Sequence, residues 1–156
     1  MLKKMEIRTN DMEIEVLIQK LHNDAVIPKY AHEGDAGVDL HSTIDYGLKP
    51  GEKALIPTGL KMAIPKGYEG QVRPKSGLAL KSGITVLNTP GTVDAPYRGE
   101  VGVIVINHSK DPYQIRKGEK IAQMIFNEIK YANFKVVDSL NETSRGEGGY
   151  GSTGLK

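Results

Sequence analysis

Glycine and proline interrupt this sequence at short intervals, and that spacing limits the fold more than any other feature. The chain has 156 residues, of which 18 are glycine and 8 are proline. Turn-forming groups such as Lys49-Pro50-Gly51 and Thr89-Pro90-Gly91 recur about every ten residues, which leaves room for short strands but not for long helices. We therefore predict an all-β domain, a sandwich or barrel.

The stretches between these turns carry strand patterns. Residues 60–64 alternate apolar and polar side chains, whereas residues 101–106 are nearly all apolar and predict a strand buried on both faces. Residues 76–82 are the best helix candidate, with Ser76 as its expected N-cap and Gly83 at its C-terminal end. The predicted strands are residues 14–18, 38–40, 60–64, 68–73, 84–87, 101–106, 121–126 and 134–137.

Composition argues against several classes of protein. The net charge is only +2, and seven tyrosines, two phenylalanines and no tryptophan give neither the basic stripe nor the aromatic platform of a nucleic-acid-binding protein. The absence of cysteine favours a reducing compartment. No apolar signal-peptide core and no stretch of membrane-spanning length occurs in the sequence. We expect a cytoplasmic protein with no nucleic-acid or membrane partner.

Composition also divides the chain into three parts. Residues 1–12 form an N-terminal extension to which we assign no role, and residues 13–140 form one domain core. Residues 141–156 contain five glycines and almost no aliphatic side chain. Such a tail buries too little apolar area to offset the entropy lost on ordering, so we expect it to be flexible unless something holds it. A linker and a binding segment are equally compatible with this composition.

The tail is the first of several candidate binding segments. Clustered glycines allow backbone N–H groups to converge on an anion, and the guanidinium of Arg145 offers a bidentate hydrogen-bond donor for phosphate. Ser152 and Thr153 offer hydroxyl groups, and the ring of Tyr150 offers a surface for a planar base.

Two further segments place polar groups at turns. Arg73, Lys75 and Ser76 lie where a predicted strand ends and the helix begins, and helix N-termini attract phosphate. A capped surface helix with two solvated cations is the alternative. Asp94 lies among turn residues close to Tyr97, where a carboxylate kept ionised by nearby cations can act as a base towards water. An ordinary turn aspartate is the alternative there.

Asp39 and Gln123 complete the candidates. Asp39 is either a turn carboxylate or a partner for hydrated Mg²⁺, an ion that keeps several waters. Gln123 lies in an apolar strand, so its amide must bond the core backbone or point into a site. The four histidines show no metal-ligand spacing, and no GxxxxGKS phosphate loop is present.

Five segments, in this order, resemble the five motifs of the trimeric deoxyuridine triphosphate pyrophosphatase (dUTPase) family. They are DAGVDL (35–40), RPKSGLAL (73–80), NTPGTVDAPYRGEV (88–101), GEKIAQMIF (118–126) and RGEGGYGSTG (145–154). The resemblance runs from about residue 14 to residue 154. It implies a jelly-roll subunit with one short helix, a homotrimer, and Mg²⁺-dependent hydrolysis of dUTP to dUMP and pyrophosphate.

The resemblance also implies a role for each candidate residue. Asp94 is implied to orient and deprotonate the attacking water, and Asp39 to hold Mg²⁺ through a bound water. The residues implied to bind the phosphate chain are Lys75, Ser76, Gly77 and Gln123, with Arg73 supporting the site. Those implied to bind the nucleoside are Asn88, Thr92, Val93 and Tyr97. Those implied to close over the substrate from the tail are Arg145, Tyr150, Gly151, Ser152 and Thr153.

Three residues depart from the family pattern. Lys75 stands where arginine is usual, which keeps the charge but loses the bidentate fork. Pro96 stands where many members have an acidic residue, and Tyr150 replaces the common phenylalanine.

Two alternative functions remain on the same fold. A dCTP deaminase, alone or combined with dUTPase activity, needs a glutamate base in the hairpin, where Glu100 comes only after Tyr-Arg-Gly. A regulatory dUTPase-like binding protein is the other alternative, and the five intact motifs argue against it.

Overall fold

The computed structural model describes residues 13–154, so the predicted N-terminal extension, residues 1–12, lies outside the described residues, as do residues 155–156. The described chain forms short strands and one short helix. In chain order these are β1 (Leu17–Lys20), β2 (Val38–His41), β3 (Tyr46–Leu48), β4 (Lys53–Ala63), β5 (Tyr68–Arg73), α1 (Ser76–Ser82), β6 (Ile84–Val86), β7 (Gly91–Asp94), β8 (Glu100–Asn107), β9 (Tyr113–Ile115) and β10 (Lys120–Glu128).

The strands form two antiparallel four-stranded sheets and a two-stranded ribbon. Sheet A has the order β1-β4-β8-β6, sheet B has the order β2-β10-β5-β7, and the ribbon pairs β3 with β9. Apolar side chains from both sheets, among them Leu40, Leu60, Val103 and Met124, are fully buried in one core. Two four-stranded sheets over a common core are typical of a jelly roll, and the all-β prediction is confirmed.

The helix predicted over residues 76–82 is confirmed as α1, and Gly83 ends it, but the N-cap residue is Lys75 and not Ser76. Lys75 occupies the N-cap position with an extended backbone and makes no side-chain capping hydrogen bond. Ser76 is already helical, so it does not have the extended N-cap backbone from which a hydroxyl bonds the next turn. Over residues 13–154, no helix combines the length and apolar character needed to cross a membrane. The cytoplasmic location stays a prediction.

Three of the strand predictions were wrong in part or entirely. The first strand was predicted at residues 14–18, but β1 spans Leu17–Lys20. Residues 101–106 do form a strand, β8, but only alternate side chains face the core, and those between them are partly exposed on the outer face of sheet A. Residues 134–137 form no strand, and Phe134 and Val136 are 91% and 96% exposed. The segment follows β10, the last strand, and it pairs with no strand of residues 13–154.

Asn107 ends β8 and joins two loops from a fully buried position. Its Nδ2 donates hydrogen bonds to the carbonyl oxygens of Leu48 and Asp111, at 3.2 and 2.8 Å. Its Oδ1 accepts hydrogen bonds from the backbone N–H and the hydroxyl of Ser109, at 2.9 and 2.7 Å. The side chain therefore ties the ribbon to the loop between β8 and β9.

We predict that Asn107→Ala lowers the free energy of unfolding by about 2–4 kcal/mol, because it leaves buried carbonyl groups unpaired. Ser109→Ala, which removes one partner from the less buried side of the same network, should cost less than about 1 kcal/mol. Urea denaturation of both variants at one fixed protein concentration measures the difference. Equal costs for the two variants would contradict the role assigned to Asn107.

Candidate active site

Sheet B aligns three polar residues that are far apart in the sequence. Its register pairs Asp39 of β2 with Gln123 of β10, and Gln123 with Arg73 of β5. Directly opposed residues of neighbouring strands share a face. The residues on either side of Asp39 along β2, Val38 and Leu40, are buried in the core. Asp39, Gln123 and Arg73 therefore form a row on the outer face of sheet B, which we call the polar row.

Two lysines flank the carboxylate of Asp39, whose side chain is 15% exposed. Lys75 Nζ pairs with Asp39 Oδ1, and Lys120 Nζ lies 2.7 Å from Asp39 Oδ2. Burial by itself raises the pKa of Asp39, but the hydrogen bonds from Lys120 and Lys75 outweigh it and hold the pKa below its usual value. Asp39 is therefore an ionised carboxylate at neutral pH, with cations on both of its oxygens.

Lys120 was not predicted as a site residue, although it lies within the segment GEKIAQMIF. If side chains alternated strictly along β10, Lys120 and Gln123 would lie on opposite faces of the sheet, because they are three positions apart. The structure contains a register shift between Lys120 and Ala122, so that Lys120 pairs with His41 and Ala122 with Leu40. This bulge returns Lys120 to the face of the polar row, and nothing in the sequence signals it.

Gln123 fixes the connection between β5 and α1. Its Nε2 donates a 2.9 Å hydrogen bond to the carbonyl oxygen of Pro74. Lys75, Ser76 and Gly77 follow directly, and Ser76 and Gly77 are exposed. Gln123 thus bonds backbone and also lines a cavity, and its role in a site stays a prediction.

That cavity has a volume of about 330 Å³ and is lined by the whole polar row together with Lys75. The guanidinium of Arg73 is turned along its own strand, where its Nε and Nη2 donate to Gln71 Oε1 at 3.1 and 2.5 Å. Arg73 is thus held by its neighbour, an arrangement suited to supporting the site.

A second cavity, of about 440 Å³, lies at the opposite edge of sheet B beside sheet A. A volume of this order is typical of small-molecule pockets. The four residues implied to bind the nucleoside all line it, facing residues of sheet A. One side of the cavity is formed by Asn88, Thr92, Val93 and Tyr97. The opposite side is formed by Leu55, Gly102 and Ile104.

Asp94 ends β7 next to this cavity. It is exposed, and together with Thr92 and Tyr97 it lines an adjoining cavity of about 170 Å³. Its carbonyl oxygen accepts a 3.0 Å hydrogen bond from the backbone N–H of Tyr97, which closes a tight turn. The carboxylate is thus attached to a rigid hairpin and open to solvent.

The chain does not bring its own hairpin and polar row together. Asp94 lies three strands across sheet B from Asp39, and it is paired with Glu69, four residues along β5 from Arg73. With a strand spacing of about 4.8 Å and a rise of about 3.4 Å per residue, the Cα atoms of Asp94 and Asp39 are about 20 Å apart. A triphosphate chain is shorter than this.

The tail lines none of the three cavities described above. Arg145 Nε donates a 2.8 Å hydrogen bond to the carbonyl oxygen of Gly148, within the tail itself. Tyr150 is fully exposed, and Gly151, Ser152 and Thr153 are exposed as well. In this subunit the predicted tail residues are therefore available to a ligand but are not placed at its own cavities.

The acidic and histidine side chains of residues 13–154 form no group of three or more that could enclose a metal ion. Asp39 is a single carboxylate with a lysine on each oxygen. These residues fit a Mg²⁺ ion that is coordinated by phosphate oxygens and contacts the protein through a bound water.

Glu100 lines both hairpin cavities, but its carboxylate is already engaged. Glu100 Oε1 accepts a 2.8 Å hydrogen bond from the backbone N–H of Gly59. A carboxylate held by backbone is poorly suited to act as the mobile base of a deaminase.

Comparison with known proteins agrees with this arrangement of motifs. The dUTPase family model matches residues 23–154. A deoxyuridine 5'-triphosphate nucleotidohydrolase of Clostridium tetani is 54% identical over 142 residues, covering 91% of this chain and 98% of the relative.

Two solved structures share the fold over nearly their entire length. A mutant dUTPase of Staphylococcus bacteriophage 80alpha, solved with dUpNHpp, has a TM-score of 0.84 and 28% identity, covering 90% of this chain and 99% of that one. A mutant dUTPase from phage phi11 of S. aureus, which reveals the coordination of a structural Mg(II) ion, has a TM-score of 0.76 and 27% identity, covering 83% and 100%. The chain belongs to the dUTPase family.

Proposed function

We propose that this protein hydrolyses dUTP to dUMP and pyrophosphate with Mg²⁺ and that it acts as a homotrimer. The observation that carries the proposal is the polar row, where residues from three separate motifs meet beside Lys75. An amide, two cations and a carboxylate in one cavity suit a hydrated metal–triphosphate, because cations and amide donors bind the phosphate oxygens. The names of the relatives and the dUpNHpp bound to the phage enzyme support the same substrate.

The separation between Asp94 and the polar row supports the trimer. A complete site needs the hairpin of one subunit beside the polar row of another, since about 20 Å separates them within one chain. Exposed apolar side chains favour the same assembly: Leu55 is 66% exposed on sheet A, and Phe134 and Val136 are almost fully exposed. Apolar surface of this kind is usually covered by another protein surface, and here other copies of the chain cover it.

The hairpin cavity selects the nucleoside. We assign Asn88 and the backbone of Thr92 and Val93 to the edge of uracil, and we assign rejection of the 5-methyl group of thymine to the same hairpin walls. The ring of Tyr97 packs against the deoxyribose, where a 2′-hydroxyl would find neither space nor a partner. Steric clash and an unpaired polar group reject a competitor more strongly than a missing contact does.

The polar row and the start of α1 bind the phosphates. Lys75, Ser76, Gly77 and Gln123 contact the chain, and Arg73 keeps its side of the cavity in place. Asp39 would hold a bound Mg²⁺ through water, and the ion would supply charge neutralisation at the phosphoryl oxygens.

Asp94 acts on the attacking water. Its carboxylate accepts a proton as the water oxygen bonds to the α-phosphorus, and the bond from that phosphorus to the bridging oxygen breaks to release pyrophosphate. A rigid turn suits this role, because a base must be held within hydrogen-bonding distance of the water that it activates.

The chain then has three functional parts. Residues 13–140 are the catalytic core, residues 1–12 have no assigned role, and residues 141–156 are a lid. Arg145, Gly151, Ser152 and Thr153 close on the terminal phosphate, and Tyr150 covers the uracil. The exposure of these residues supports closure over a site that another subunit provides, and closure expels water from the reacting groups.

We predict that Asp94→Asn lowers kcat for dUTP by about 10²–10⁴-fold while the protein still binds dUMP, because the change removes the base and keeps the shape of the side chain. Pyrophosphate release measures turnover, and calorimetry measures binding. Asp111→Asn, which removes an exposed carboxylate from the loop between β8 and β9, is the matched control and should keep full turnover.

The same assay, extended to UTP, dTTP and dCTP, tests the substrate. Wild-type protein should prefer dUTP to each of them. Rapid deamination of dCTP, or no pyrophosphate from dUTP in the presence of Mg²⁺, would contradict the proposed function.

We also predict that removal of residues 145–156 leaves the fold and assembly intact but lowers turnover by at least about tenfold, because the site then stays open to water. Removal of residues 155–156 alone, which lie beyond the family match, is the control and should have little effect. Circular dichroism and size-exclusion chromatography report on fold and assembly. Full turnover of the longer truncation would refute the lid.

A further inference from the structure

The ring of Tyr97 is held in place through its own hairpin. Its backbone N–H donates to the carbonyl oxygen of Asp94 at 3.0 Å, and its own carbonyl oxygen accepts a 2.9 Å hydrogen bond from Arg98 Nη1. Its hydroxyl donates a 3.0 Å hydrogen bond to the carbonyl oxygen of Glu100. The ring lies back over Gly99, where a Cβ atom would overlap the hydroxyl. The ring can therefore hold this position only while the carbonyl group of Glu100 stays fixed.

Glu100 is fixed in turn by a bulge in β4. The backbone N–H of Gly59 donates a 2.8 Å hydrogen bond to Glu100 Oε1, and Lys61 pairs with Glu100 across the strands. Gly59 has a φ of +70°, and a Cβ atom there would lie 2.8 Å from the Cβ atom of Ala25. The register shift between Pro57 and Lys61 thus directs the backbone N–H of Gly59 towards the hairpin, where the Glu100 carboxylate accepts its hydrogen bond.

We propose that Glu100 is a positioning residue that fixes Tyr97 against the Gly59 bulge and thereby sets how strongly the site rejects a ribonucleotide. The inference rests on the proposed function, in which Tyr97 packs against the sugar. The ring of Tyr97 excludes a 2′-hydroxyl only if it cannot move away from the sugar, because a displaced ring leaves space for the extra oxygen. Glu100 lines the cavity, but its carboxylate accepts the Gly59 hydrogen bond, so its effect on selectivity passes through the ring.

The first test compares Glu100→Ala with Glu100→Gln, which keeps an oxygen that can accept the Gly59 hydrogen bond. Glu100→Ala should lower the ratio of kcat/KM for dUTP over UTP by about tenfold, mainly because UTP becomes a better substrate. Glu100→Gln should stay close to the wild-type ratio. Equal changes for both nucleotides in Glu100→Ala, or a Glu100→Gln variant as unselective as Glu100→Ala, would overturn the proposal.

A double-mutant cycle with Tyr97→Phe tests the route of the effect. If Glu100 acts by anchoring the Tyr97 hydroxyl, Glu100→Ala adds little further loss of selectivity in the Tyr97→Phe background. Full additivity would mean that Glu100 acts elsewhere and would overturn the proposal. If Glu100→Ala fails to assemble, Glu100→Asp, whose shorter side chain keeps the charge but withdraws from Gly59, replaces it in both comparisons.

Binding of dUMP and UMP, measured by calorimetry on wild-type and Glu100→Ala protein, separates this inference from the proposed function. The ratio of the UMP dissociation constant to the dUMP dissociation constant should be about tenfold lower in the variant than in the wild-type protein. A wild-type protein that prefers dUMP but fails to hydrolyse dUTP would refute the proposed reaction and leave this inference standing. A variant with unchanged preference in an active enzyme would refute the inference alone.

Discussion

The hydrogen-bond register of β10 with its two neighbours is the constraint on which the site depends. It sets Asp39, Gln123 and Arg73 side by side. A slip of one residue would send the side chain of Gln123 into the core and a methionine to the surface. The bulge after Lys120 then adds a second cation to Asp39. A site for a highly charged ligand is thus built from backbone pairing, with the apolar face of the same strands as its support.

The charge of Asp39 is paired with cations before any ligand arrives. Asp39 keeps both lysines in place, and their hydrogen bonds hold its pKa low in spite of partial burial. A preorganised arrangement of this kind has little reorganisation left to do when phosphate and metal enter. The hairpin is preorganised in a different way, through backbone hydrogen bonds and the contact between Glu100 and Gly59. Polar pairing therefore fixes the proposed phosphate-binding end of the site, and backbone geometry fixes the proposed nucleoside-binding end.

Much of this was predictable from the sequence, because glycine and proline mark the turns and alternation marks the strands. The polar residues that line both cavities all lie within the motifs, because a motif can be recognised without knowledge of the strand register. Lys120 could not be predicted, because a bulge changes the face of a residue without a sequence signal. The segment 134–137 reads as a core strand because it is apolar, yet the described residues of one subunit offer it no strand to pair with. The local sequence pattern shows that a segment is apolar, but it does not show which protein surface buries that segment.

The central claim is that each site joins the hairpin of one subunit to the polar row of another. Co-assembly of Asp94→Asn and Lys75→Met chains, each inactive alone, tests it directly. In a cyclic trimer every mixed assembly then contains one site with both halves intact, so an equal random mixture should recover about a quarter of wild-type turnover. If each site lay within a single chain, the mixture would be as inactive as its parents, and that result would contradict the account.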